Sequence, residues 1–204
     1  MNAIFPEIIK LIGSLPSETI TVERKKILDP IIIALQQKTS KQEAIRLIFI
    51  CTHNSRRSHL TQIWAQTLAY YFNIQKVNCY SAGTEATALF PSIIETLQQT
   101  GFQISTLSQT KNPVYSIKFA ANEPPIIGFS KTTDHTYNPK SAFIALMTCS
   151  QADIGCPYIS GAERRFPLTH NDPKKYDNKP HAKKEYYQTS VLIATELYYI
   201  FSKI

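Results

Sequence analysis

The stretch Arg46-Leu47-Ile48-Phe49-Ile50-Cys51-Thr52-His53-Asn54-Ser55-Arg56-Arg57-Ser58 is an apolar run that delivers a cysteine into a tight polar loop. Ile45 to Ile50 is nearly continuous in hydrophobicity, as a strand buried on both faces should be. Beyond the loop, Leu60, Ile63, Trp64, Leu68, Tyr71 and Phe72 fall at helical spacing. The loop therefore joins a buried strand to a helix N-terminus, where unpaired N–H groups and the positive end of the helix dipole converge. Such a junction is a ready anion site. Cys51 and Arg57 stand there as Cys-x5-Arg. Loop amides and a guanidinium stabilise a thiolate, and the same donors fit a tetrahedral oxyanion. A bare Cys-x5-Arg is more often a core cysteine with a surface arginine nearby; its place between strand and helix argues for chemistry instead.

Working outward, the pattern from residue 44 is α/β. Lys76 to Gly83 reads as a second strand ending in the small-residue turn Tyr80-Ser81-Ala82-Gly83, and Pro91 to Gly101 as a helix. Ser141 to Cys149 is a third buried strand, Arg164 to Leu168 a short fourth, and Tyr186 to Ile204 a closing helix. Strands alternating with helices predict a small doubly wound parallel sheet with right-handed crossovers. Ligands of such sheets bind outside the carboxyl ends of the strands, where Cys51, Gly83, Cys149 and Asp172 all fall. Residues 106–140 interrupt the pattern. Val114 to Phe119 and Ile126 to Ser130 alternate imperfectly and predict an inserted β-hairpin, followed by a polar loop over Thr132 to Pro139.

Upstream, residues 1–43 form a helical extension separate in character from residues 44–204. A short helix opens at Pro6 and closes near Gly13. A second is capped by Thr21 and striped by Ile27, Leu28, Ile31, Ile32 and Leu35, with Pro30 expected to kink or split it. The polar run Gln36 to Glu43 reads as a linker. The extension has no chemistry of its own; it offers a face for packing on the main domain or, in a homo-oligomer, on a second subunit.

At 204 residues and 43% hydrophobic, the chain is long enough for one well-buried core. No run of about eighteen apolar residues predicts a membrane span, and the first residues lack the basic and small-residue features of a secretion signal. Four cysteines are too few for a disulfide framework and point to the cytoplasm. Net charge is +7 and the pI about 9.2, which favours anionic ligands, but the basic residues are dispersed and no nucleic-acid motif occurs. Cys79, mid-strand without a partner pattern, reads as core. Cys149 and Cys156, with Ser150 to Gly155 between them as a loop able to bend, are on the residues alone two unrelated cysteines or zinc ligands with His170 and His181. Six intervening residues are wrong for common structural zinc sites.

The Cys51–Arg57 loop resembles that of the low-molecular-weight tyrosine phosphatase superfamily, in particular its thioredoxin-coupled arsenate reductase branch. Thr148-Cys149-Ser150-Gln151-Ala152-Asp153-Ile154-Gly155-Cys156-Pro157 is similar to the resolving-cysteine segment of that branch, and Asp172-Pro173 to the family's acid loop. The resemblance spans residues 44–204 less the insertion. It implies Cys51 as nucleophile, Arg57 as oxyanion clamp, Ser58 as a donor to the thiolate and Asp172 as general acid. Thr52, His53, Asn54, Ser55 and Arg56 would complete the oxyanion loop, with Ser81 bracing Asn54. It further implies that Cys149 attacks the Cys51–arsenic adduct and that Cys156 then leaves a Cys149–Cys156 disulfide for thioredoxin, with no cofactor and no metal. His53 replaces the family's usual glycine and is expected to tighten or distort the loop; Arg56 replaces a cysteine or apolar residue, either adding charge near the anion or facing solvent. Two other functions compete. A phosphatase would hydrolyse aryl phosphates through a phosphocysteine and has no use for Cys149 and Cys156; it also tends to carry tyrosines where Lys174 and Lys175 follow Asp172-Pro173. A non-catalytic oxyanion or phosphoprotein-binding module is the third reading.

Overall fold

The computed structural model describes residues 4–156 and 158–204. Four parallel strands, β1 (Ile45–Cys51), β2 (Val77–Gly83), β6 (Phe143–Met147) and β7 (Ala162–Pro167), form the main sheet in the order β2-β1-β6-β7. β1 lies between β2 and β6, so the chain leaves it first toward one edge and later toward the other. Its carboxyl end is the topological switch point, where the crevice of a doubly wound sheet opens.

Alternation along β1 builds two cores. Leu47 and Phe49 face a large cluster that includes Trp64 and Leu68 of α3 (Arg57–Tyr71) and Tyr186, Ile193 and Leu197 of α6 (Ala182–Phe201). Ile48, Ile50 and Cys51 face a small one with Met147, Cys149 and Ala152. That second face is covered by the short α5 (Ser150–Gly155) and by Ile159 and Ala162. α4 (Pro91–Gln99) begins at a proline, as its sequence predicted. α6 begins four residues before its expected start.

The insertion is larger than the expected hairpin. β3 (Gln103–Ser108), β4 (Val114–Lys118) and β5 (Ile126–Gly128) make a three-stranded antiparallel sheet, with a register shift between Thr106 and Ser108. β3 escaped the sequence reading because it is a largely exposed, polar edge strand with its apolar Leu107 turned to solvent.

The extension comprises α1 (Pro6–Ile12) and α2 (Val22–Ser40). Thr21 caps α2, its hydroxyl accepting from Arg24 N at 3.2 Å. α2 runs on as one helix through Pro30, and through Gln36 to Ser40 where a linker was expected. Leu28, Ile31, Ile32 and Leu35 are buried in the large core, whereas Ile27 is exposed. Burying four such side chains, at about 1.5–3 kcal/mol each, outweighs the roughly 3 kcal/mol cost of an internal proline. The extension also meets the insertion: Phe5 N donates to Phe119 O at 2.9 Å and Ile4 bridges Ala120. No helix among the described residues is long and apolar enough to cross a membrane.

Candidate active site

The loop after β1 turns on Asn54, whose φ of 43° lies in the left-handed region that asparagine tolerates. Its carboxamide Nδ2 donates to Ser58 Oγ at 2.8 Å, and Ser58 Oγ lies 3.1 Å from Cys51 Sγ. A hydroxyl that already accepts from an amide has its own proton free for the sulfur. Ser58 is therefore free to aim a hydrogen bond at Cys51. Gly83 closes in from β2: a Cβ there would stand 2.7 Å from both Asn54 N and Thr52 O, so only glycine lets the two segments meet.

Arg57 starts α3 and is buried. Its Nη1 donates to His170 O at 2.9 Å and its Nη2 to Asp172 Oδ2 at 2.5 Å. Asp172 is held in turn by Lys174 N, which donates to Oδ1 at 3.0 Å across a short 3-10 turn. Acid and clamp thus meet over the loop. Cys149, at the end of β6, is buried; its Sγ accepts from Ala152 N at 3.3 Å and stands 3.5 Å from Thr52 Oγ1, one residue from the nucleophile. Cys51 and Cys149 share the small core. Cys156 lies at the far end of α5, half-buried against the same cluster.

Three expectations are corrected. Ser81 does not touch Asn54: His59 is interposed, its Nδ1 3.2 Å from Ser81 Oγ and its Nε2 2.9 Å from Asn54 O. The Asn54 side chain is instead taken by Ser58 and by Lys131 N, which donates to its Oδ1 at 2.8 Å. Arg56 neither reaches the anion site with its side chain nor faces solvent. Its Nε donates to Tyr186 Oη and its Nη2 to Asp177 Oδ2, both at 2.6 Å, while its guanidinium lies 3.8 Å over the Phe90 ring. Any help Arg56 gives an oxyanion comes from its main-chain N–H. Lastly, residues 150–155 are a helix rather than a loop.

His53 keeps an ordinary backbone, since its φ is not positive, so the usual glycine is not sterically required. Its half-exposed ring stands 3.7 Å from Glu85 at the rim. Cys79 is buried core, and burial pushes its thiol up, away from reactivity. His170 is bound by Glu196, 2.8 Å away, and no metal-binding cluster of His, Cys, Asp or Glu occurs among the described residues. The sequence offered no signal for His59 or Lys131: His59 acts through Asn54 and Ser81, which only the packing of α3 on β2 brings together, and Lys131 arrives on the folded insertion.

A Cys-x5-Arg loop lies at the switch point of a four-stranded parallel sheet, faced by an Asp-Pro turn, an arrangement that fits the low-molecular-weight phosphatase fold. The comparisons agree. Residues 46–121 match the family model described as low molecular weight phosphotyrosine protein phosphatase. The arsenate reductase of Staphylococcus aureus (strain Newman) is 28% identical over 153 residues, covering 74% of this chain and 92% of that protein. The arsenate reductase of Bacillus licheniformis is 26% identical over 143 residues, covering 70% and 84%. Among solved structures, a mutant of YwlE from Bacillus subtilis superposes with a TM-score of 0.54 at 19% identity, covering 78% of this chain and 97% of that one, which shows the shared fold. Over residues 46–121 the chain thus resembles the low-molecular-weight phosphotyrosine phosphatases, and it shares their fold.

Proposed function

We propose that this protein is a cytoplasmic arsenate reductase that works through Cys51, Cys149 and Cys156, with thioredoxin as the final reductant and no cofactor. Residues 44–204 carry the chemistry and residues 1–43 are an extension to it. The observation that carries the reading is the second buried thiol beside the nucleophile loop, Cys149 Sγ 3.5 Å from Thr52 Oγ1, with a third thiol one short helix away. Its relatives named arsenate reductase support the same substrate.

Arsenate displaces Asp172 from Arg57, and Cys51 thiolate attacks arsenic. Asp172, released from Arg57, takes up a proton from solvent and delivers it to the oxygen that leaves as water. The Cys149 thiolate then attacks Cys51 Sγ; a disulfide forms, the S–As bond pair passes to arsenic, and arsenic leaves reduced as arsenite. Cys156 thiolate attacks Cys149, expelling Cys51 as a free thiolate, and thioredoxin reduces the Cys149–Cys156 bridge. One residue per 1.5 Å of helix puts Cys149 and Cys156 about 10 Å apart along α5, beyond the roughly 7 Å that a disulfide spans. The last hand-off therefore requires α5 to unwind. The Arg57–Asp172 pair favours aryl phosphate hydrolysis as a second activity of the same site, since it places an acid over the anion cradle.

Arsenate-dependent oxidation of reduced thioredoxin, followed beside hydrolysis of an aryl phosphate, tests the reading. Cys156→Ser should trap Cys51–Cys149 as a linked peptide. Arsenate turnover that survives loss of Cys149 would overturn the relay and leave the phosphatase.

A further inference from the structure

Beneath the oxyanion loop sits a lysine that the reaction steps above leave unused. Lys131, in the segment that follows β5 of the insertion, is 1% exposed. No carboxylate pairs with it among the described residues. A charged side chain left in that state is costly unless something repays it. Its Nζ instead lies 4.4 Å over the Phe129 ring and 5.4 Å over the Tyr137 ring, 3.2 Å from Phe129 O and 3.4 Å from Ser81 Oγ. The rest of the residue is tied to the site. Lys131 N donates to Asn54 Oδ1 at 2.8 Å, and Lys131 O accepts from Gly83 N at 2.9 Å.

The donors and acceptors form a directional chain. Asn54 O can only accept, so His59 Nε2 carries the proton in that 2.9 Å contact and Nδ1 is left to accept from Ser81. Ser81 Oγ, donating to His59, is free to accept from Lys131 Nζ. The line therefore runs from ammonium to hydroxyl to imidazole to the carbonyl of the left-handed turn residue. His59 remains neutral along it: burial, then the Lys131 charge, pull it down to about 3.

We infer that Lys131 is a positioning residue of the oxyanion loop, a built-in cation that holds the Asn54 turn through Ser81 and His59 and raises the loop's affinity for dianions. The inference rests on the Cys51–Arg57 loop being the anion site. It gives the insertion a task, because the lysine and its aromatic faces arrive together on that segment.

Burial pulls Lys131 down to about 7. It is thus charged below that pH and neutral above, so its contribution to anion affinity should be present at pH 6 and fade by pH 8.5. The titratable groups around it are His59 from α3, Tyr80 from β2, and His135 and Tyr137 from its own loop, whose rings meet Tyr80 and Phe129.

Sulfate is the probe, since it remains a dianion across this range, and Cys51→Ser is the parent, since it has no thiolate. Calorimetry at pH 6 should give Lys131→Met in that parent a sulfate affinity roughly tenfold weaker, the scale of one buried charge near a dianion. At pH 8.5 the two should converge. Stability should move the other way: an apolar side chain of similar size in that slot should leave the melting temperature equal or higher. A merely structural lysine would lose both together. Proton uptake serves if Lys131→Met does not fold: the parent should take up a proton on binding sulfate at pH 8, measured in two buffers of different ionisation enthalpy. Equal sulfate affinity of the two proteins at pH 6, or an absence of proton uptake, would overturn the role of Lys131 alone. A parent that binds no sulfate at either pH would remove the anion site itself, and the inference with it.

Discussion

Arg57 Nη2 donates to Asp172 Oδ2 at 2.5 Å, so the acid and an oxyanion compete for the same donor. Arg57 Nη1 is meanwhile fixed on His170 O, which leaves the guanidinium oriented while one edge changes partner. Asp172 should therefore have two opposite effects. Asp172→Asn removes the proton donor and should slow aryl phosphate hydrolysis by about 10²–10⁴-fold. The same change weakens the competing ion pair, so phosphate should inhibit the variant at a lower concentration than the parent. Steady-state hydrolysis with phosphate as competitor reads both, and a variant hydrolysing at the parent rate would remove Asp172 from the site. Cys51, Arg57 and Asp172 were legible in the sequence because each is placed by its own short segment: strand end, helix start, turn before proline. The Arg56 side chain was not, because Asp177, Tyr186 and Phe90 reach it from three separate segments. Ser81 was read as touching Asn54 for a similar reason: nothing local announces that His59 will stand between them.

At the scale of elements, the parallel sheet was readable from continuous apolar runs spaced by helical periodicity, whereas β3 and α5 were not. β3 lacks alternation because its edge faces water, and α5 is six residues of mixed polarity that hold as a helix through Cys149 at the N-cap and Arg165, whose Nε donates to Cys156 O at 3.0 Å. This marginal helix separates Cys149 from Cys156, so in the proposed relay its stability should set the rate of the second hand-off. Gly155 is the place to test that. It has no positive φ, and a Cβ there would meet nothing within 4 Å, so alanine fits without strain. Gly155→Ala should stabilise α5 by about 0.5–1 kcal/mol. Unwinding should then slow by about two- to fivefold, and Cys51–Cys149 should accumulate in a single arsenate turnover quenched with acid. Unchanged appearance of Cys149–Cys156 would mean that helix opening does not limit the relay.

The whole molecule ties its N-terminal helices to the chemistry through one buried network, although the two regions read as separate in sequence. Arg24 of α2 donates to both carboxylate oxygens of Glu196, at 2.7 and 2.6 Å, and to Thr169 O at 3.1 Å. Glu196 also bonds His170, whose carbonyl fixes Arg57. Helical periodicity predicted the apolar stripe of α2, but a single polar side chain crossing to α6 carries no periodic signal. Burial raises the Glu196 carboxyl, yet the hydrogen bonds from His170 and Arg24 outweigh it and hold it below the usual glutamate range. A carboxyl lowered in the folded state stabilises above its unfolded pKa, and that stability is lost as pH falls through the folded value. Arg24→Met should leave a buried carboxylate short of a partner and cost about 3 kcal/mol at pH 7. The cost should shrink as acid protonates Glu196 in parent and variant alike, narrowing the gap between their melting temperatures as the pH falls below the usual glutamate range. Melting curves of both proteins from pH 7 down to 3 check the sign: a gap that stays constant would mean that Arg24 acts by packing alone, whereas a closing gap ties the extension to the turn that carries Asp172.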